Sequence, residues 1–70
     1  MEHILRINKK YGKWFYKKEK EYDMEFPVYY VYGADSDGIK DSWSSPSFEE
    51  IRCFCRLNKD DREEYKRIYG

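Results

Sequence analysis

The sequence predicts a small α+β domain: a three- to four-stranded antiparallel meander sheet followed by one or two C-terminal helices packed on one of its faces. Three observations predict it. Aromatic and β-branched residues alternate with polar ones through the first half of the chain, the period of a pleated strand. Short turn-forming clusters divide that half into strand-length pieces. After Trp43 the apolar spacing changes from two to three and four, behind a helix-start signal at Ser44-Ser45-Pro46-Ser47. One domain over 1–70 follows, with 1–43 β-rich and 44–70 helical.

The first strand is expected over His3 to Asn8, with Leu5 and Ile7 on one side and Ile4, Arg6 and Asn8 on the other. Lys9 to Gly12 supplies a turn. Lys13 to Glu19 forms the second strand, with Trp14, Tyr16 and Lys18 on one face and Phe15 and Lys17 on the other, so the two strands make a hairpin. Lys20 to Asp23 is charged and reads as a loop. In the third and longest strand Met24, Phe26, Val28, Tyr30 and Tyr32 form one row, Tyr29 and Val31 the other. Pro27 has no N–H for a ladder, so either the strand begins near Val28 or Pro27 faces outward at a sheet edge. The row Phe26, Val28, Tyr30 and Tyr32 is expected beneath the helix, with Phe15 and Tyr29 beside Lys17 or Val31 on the uncovered face.

Gly33-Ala34-Asp35-Ser36-Asp37-Gly38 is the clearest turn, because Gly and Asp tolerate left-handed backbone and Asp carboxylates accept from turn amides. Ile39 to Trp43 returns as a short fourth strand. A helix then begins near Pro46, either with Ser45 as N-cap and Pro46 at the first helical position, or with Ser47 and Glu50 as a capping box. Phe48, Ile51, Phe54 and Cys55 form its apolar stripe. Asn58-Lys59-Asp60-Asp61 breaks that stripe with acids suited to a new N-terminus, which favours a second helix over Asp60 to Tyr69 against one continuous helix. The second helix carries Tyr65, Ile68 and Tyr69 on one side.

Seventy residues, 40% hydrophobic and 40% charged, lie near the lower limit for a single unstapled core. Nine aromatic side chains fall between Tyr11 and Gly33, and rings must supply most of the buried area. No apolar run approaches the roughly 20 residues of a membrane span, and Met-Glu-His does not open a signal segment, so a cytoplasmic protein is expected. The net charge is zero but unevenly spread: residues 1–20 hold seven bases against two acids, 21–50 one against eight, and 51–70 six against four. These blocks either face one another across neighbouring strands or form a two-signed surface that steers a charged partner.

No chemistry-bearing constellation is complete. Asp35-Ser36-Asp37-Gly38 resembles the start of a calcium loop, but Ile39, Lys40 and Pro46 occupy later positions where a ligand, Gly and Glu are required. Ser44, Ser45, Ser47, Cys53 and Cys55 lack a base, since His3, the only histidine, lies on an N-terminal strand. Cys53 and Cys55 point roughly 200° apart on a helix, so both are expected as free thiols, one packed and one exposed, without metal. No enzyme and no cofactor are expected.

What remains is binding. Tyr and Trp offer large contact area with few rotatable bonds, and one helical layer covers only one sheet face. The expected function is a non-enzymatic protein-binding or regulatory module with Trp14, Phe15, Tyr16, Tyr29 and Trp43 as contacts, itself a monomer or a homodimer through a sheet face or edge. The Lys-, Tyr-, Glu-, Asp- and Ile-rich vocabulary suits a phage or mobile-element accessory protein that binds a host protein. The alternative is single-stranded nucleic-acid binding by the basic-aromatic hairpin 6–20, through Arg6, Lys9, Lys10, Lys13, Lys17 and Lys18. Against it stand the acidic middle block and the zero net charge.

Overall fold

The computed structural model describes residues 2–20, 22–23 and 25–69. Expectations that fall on Met24 and Gly70 lie outside the described residues. The chain forms a four-stranded antiparallel meander in the order β1-β2-β3-β4, followed by two C-terminal helices. Its strands are β1 (Glu2–Ile4), β2 (Lys13–Glu19), β3 (Val28–Ala34) and β4 (Lys40–Ser45), and its helices α1 (Phe48–Cys55) and α2 (Lys59–Tyr69).

The first strand is shorter than the alternation suggests. Leu5 still donates its amide to Trp14 O at 2.9 Å, but Asn8 Oδ1 accepts from Lys10 N at 3.0 Å and starts a 3-10 turn over Lys9–Tyr11. A short asparagine that can cap a turn outweighs one more residue of ladder. Gly12 ends the turn at φ +101°, and a Cβ there would stand 2.1 Å from Ala34 O, so only glycine fits. β2 then runs over the expected residues.

β3 begins at Val28, after Pro27, and its two rows are the reverse of the expected arrangement. Register explains why. Val31 sits between Tyr16 on β2 and Trp43 on β4, and Gly33 between Trp14 and Asp41. The covered face already holds Trp14, Trp43 and Phe54, all buried, so the central strand contributes its small residues there and turns Val28, Tyr30 and Tyr32 outward.

Ser47 is the N-cap of α1: its hydroxyl accepts from Glu50 N at 3.4 Å, while its own N–H donates to Ser45 Oγ, which donates in turn to Glu50 Oε2. Asn58 Oδ1 accepts from Asp61 N at 2.8 Å and starts α2, so the helical region is two helices. The core is Leu5, Trp14, Val31, Trp43, Ile51, Phe54 and Cys55. Phe54 stacks on Trp43 at 5.1 Å and meets Trp14 edge-on at 6.1 Å, which locks the stripe of α1 to β2 and β4. No helix among the described residues is long and apolar enough to cross a membrane.

Candidate binding face

One sheet face lies under the helices, and the other is covered by none of the described residues. Alternation decides its membership: β1 presents Glu2 and Ile4, β2 presents Lys13, Phe15, Lys17 and Glu19, β3 presents Val28, Tyr30, Tyr32 and Ala34, and β4 presents Lys40, Ser42 and Ser44. Phe15 stacks on Tyr32 with ring centroids 5.7 Å apart, and Tyr32 stacks on Tyr30 at the same distance. Lys13 Nζ stands 5.8 Å over the Phe15 ring and Lys17 Nζ 5.8 Å over that of Tyr32. The result is a continuous row of three rings, each half-buried, flanked by ammonium groups.

The face is preorganised by its own contacts. The neighbouring Glu2 carboxylate pushes the Tyr32 phenol up to about 12, so the edge strand β1 brings a negative charge to the row. Beside the row an apolar depression of about 430 Å³ is lined by Phe15, Tyr32, Gly33 and Ala34 together with Lys13, Lys40 and Asp41. Ring faces are occupied by neighbouring rings and by lysines, so little ring face is left for a stacked base.

The sequence-predicted contacts are divided between the two faces. Phe15 lies in the open row. Trp14, only 1% exposed, and Trp43, 9% exposed, are core residues, and the indole N–H of Trp14 is satisfied by Tyr11 O at 2.8 Å. Tyr16 and Tyr29 are half-buried on the covered face, both edge-on to Phe48. The rings of Tyr30 and Tyr32 take the places that sequence reasoning gave to Tyr29 and its neighbours. The signal that could have found them was Gly33, in the row of Tyr29 and Val31, which marks the side where a bulky side chain has no room.

The six basic residues of the alternative are likewise divided. Lys13 and Lys17 flank the open row, Lys18 lies on the covered face, and Arg6, Lys9 and Lys10 gather near the 3-10 turn. They do not form one track along the rings.

A second polar centre, absent from the sequence reading, lies on the covered side of the sheet at its Lys13–Ala34–Lys40 end. Arg62 of α2 is 0% exposed. It donates to Asp35 Oδ2 at 2.6 Å, Asp41 Oδ2 at 3.0 Å and Leu57 O at 2.8 Å, and its guanidinium stands 5.5 Å over the Trp14 ring. Lys66 adds a second cation on Asp41. The bond from Arg62 holds Asp35 below the usual carboxylate range. Burial would raise Asp41, but its bonds from Lys66 and Arg62 outweigh that and hold it low as well. Asp35 Oδ1 also accepts from Asp37 N and Ile39 N at 2.9 Å. The calcium-like sequence is therefore a turn whose carboxylate is fully engaged by protein donors. Among the described residues no group of three or more His, Cys, Asp and Glu is placed to hold a metal.

Cys53 is exposed and Cys55 buried, and burial pushes the Cys55 thiol up to about 12. No family model, curated protein or solved structure matches the chain.

Proposed function

We propose that the chain is a non-enzymatic protein-binding module whose open sheet face seats an apolar, carboxylate-rimmed patch of a partner protein. The observation that carries this reading is the stacked row Phe15–Tyr32–Tyr30 on a face that none of the other described residues covers. Three half-buried rings beside an apolar depression are the anchors of an interface core. Lys13 and Lys40 form a cationic rim at one end of the face that complements acids on the partner, whereas Lys17 stands among Glu2 and Glu19 at the other end. The composition suits an accessory protein of a phage or mobile element, whose partner would be a host protein.

The test is quantitative affinity capture with the wild type and with a Tyr30→Ala/Tyr32→Ala variant whose fold is verified by circular dichroism. At least one captured protein should fall on the order of tenfold with the variant, as expected when hot-spot rings are truncated. Identical capture by both would remove the open face from the function. Tight binding of single-stranded nucleic acid with a steep salt dependence would replace protein by nucleic acid as the partner.

A further inference from the structure

The basic hairpin ends in a second surface, which adjoins the ring row at Ile4 and Lys13. Where the segment after β1 passes the start of β2 and the turn after β3, a cavity of about 800 Å³ opens whose lining mixes the apolar Ile4, Leu5, Ile7 and Trp14 with the basic Arg6, Lys9 and Lys13. Its size is that of a site for a compact ligand or a few peptide side chains. Asp35 borders it, but both Asp35 oxygens are already engaged by Arg62 and by turn amides. Arg6 and Lys9 form no ion pair among the described residues. The cavity thus combines apolar walls with cations that have no counter-charge.

The complementary surface is in the same molecule. In the loop between β2 and β3, Tyr22 is fully exposed and Phe26 is 65% exposed, and the exposed Asp23 and Glu25 lie between them in sequence. Two large rings held in water beside carboxylates are what an apolar cavity rimmed by cations accepts. A chain cannot fill its own cavity in this way. The loop leaves β2 at Glu19 and enters β3 at Val28, whereas the cavity lies at the Lys13 end, and a seven-residue strand separates the two by about 20 Å.

We infer that the exposed Tyr22 and Phe26 of one copy dock in the Arg6/Lys9/Lys13 cavity of a second copy, so that the chain associates head to tail. The two surfaces differ, so the contact is heterologous, and each added copy leaves one loop and one cavity unfilled. Assembly extends until it closes into a ring or the concentration limits it.

Sedimentation equilibrium tests this with two variants altered only at exposed positions: a loop variant, Tyr22→Ser/Phe26→Ser, which keeps the loop acidic but removes its rings, and a cavity variant, Arg6→Glu/Lys9→Glu, which repels any acidic loop. The average mass of the wild type should rise from about 10 µM to about 1 mM protein at low salt, the range of a small interface. Its association constant should fall on the order of tenfold in half-molar salt. Each variant alone should remain monomeric. Mixed in equal amounts they should form a dimer that grows no further, because the mixture retains one working loop and one working cavity. The Tyr30→Ala/Tyr32→Ala variant should associate like the wild type, which separates this contact from the open-face reading. A wild type monomeric throughout at low salt, a mixture that stays monomeric, or association insensitive to both variants would overturn the inference. So would a monomeric wild type whose cavity binds a synthetic peptide of alternating Glu and Phe, since the occupant would then be foreign.

Discussion

Arg62 shows how much one side chain can decide in a chain of this size. Its fork engages two carboxylates and one carbonyl, and so joins α2 to the turn after β3, to strand β4 and to the segment that follows α1. Nothing in the sequence marks it, because it stands in a helix whose neighbours are mostly charged and solvated. Burial of a fully bonded ion pair is weak evidence for net stability, but removal of one partner is costly, since the remaining charges are stranded. Arg62→Ala should therefore destabilise the protein by about 3–5 kcal/mol, a large part of the total for a small domain. Urea unfolding measures this. Arg62→Lys keeps the charge without the planar fork and should fall between the two. A loss in Arg62→Ala no larger than that of an exposed ion pair would mean that the carboxylates relax into water at little cost.

At the scale of elements, what was legible depended on whether one local rule acted alone. β2 was readable at both ends, because its alternation starts after a glycine that only positive φ explains. The meander, the Ser47 capping option and the break before α2 were readable for the same reason. β1 was overestimated where Asn8 offered a competing turn. The rows of β3 were assigned to the wrong faces because a strand of Val and Tyr alternates equally well either way, and the choice is made by the volume of Trp14 and Trp43 on the neighbouring strands. The candidate face inherited that uncertainty, so that of the five predicted contacts only Phe15 lies on it. The helix break also yields a prediction. Asn58→Ala removes the acceptor for Asp61 N and should cost ~1 kcal/mol, read as a lower urea midpoint with unchanged slope. An unchanged midpoint would show that α2 is held by Arg62 and Tyr65 alone.

For the whole molecule, the alternation of charge along the chain resolves into a contact between layers. Acids of the middle block, Asp35 and Asp41, meet cations of the last block, Arg62 and Lys66, across the junction of sheet and helix. Both carboxylates titrate below their ordinary value of 3.8 in the folded chain. The stability they contribute is therefore fully present above about pH 4 and is lost as the pH falls through their lowered folded values. The thermal midpoint should drop steeply below pH 4, and Asp35→Asn should start lower but show a shallower acid slope. Parallel acid profiles for the two proteins would exclude Asp35 as a source of that dependence. The division of rings between the faces also has a spectroscopic consequence. Both indoles are inside the core and the row of the open face holds only Phe and Tyr, so tryptophan emission follows folding, whereas occupation of the open face registers first in the tyrosine signal.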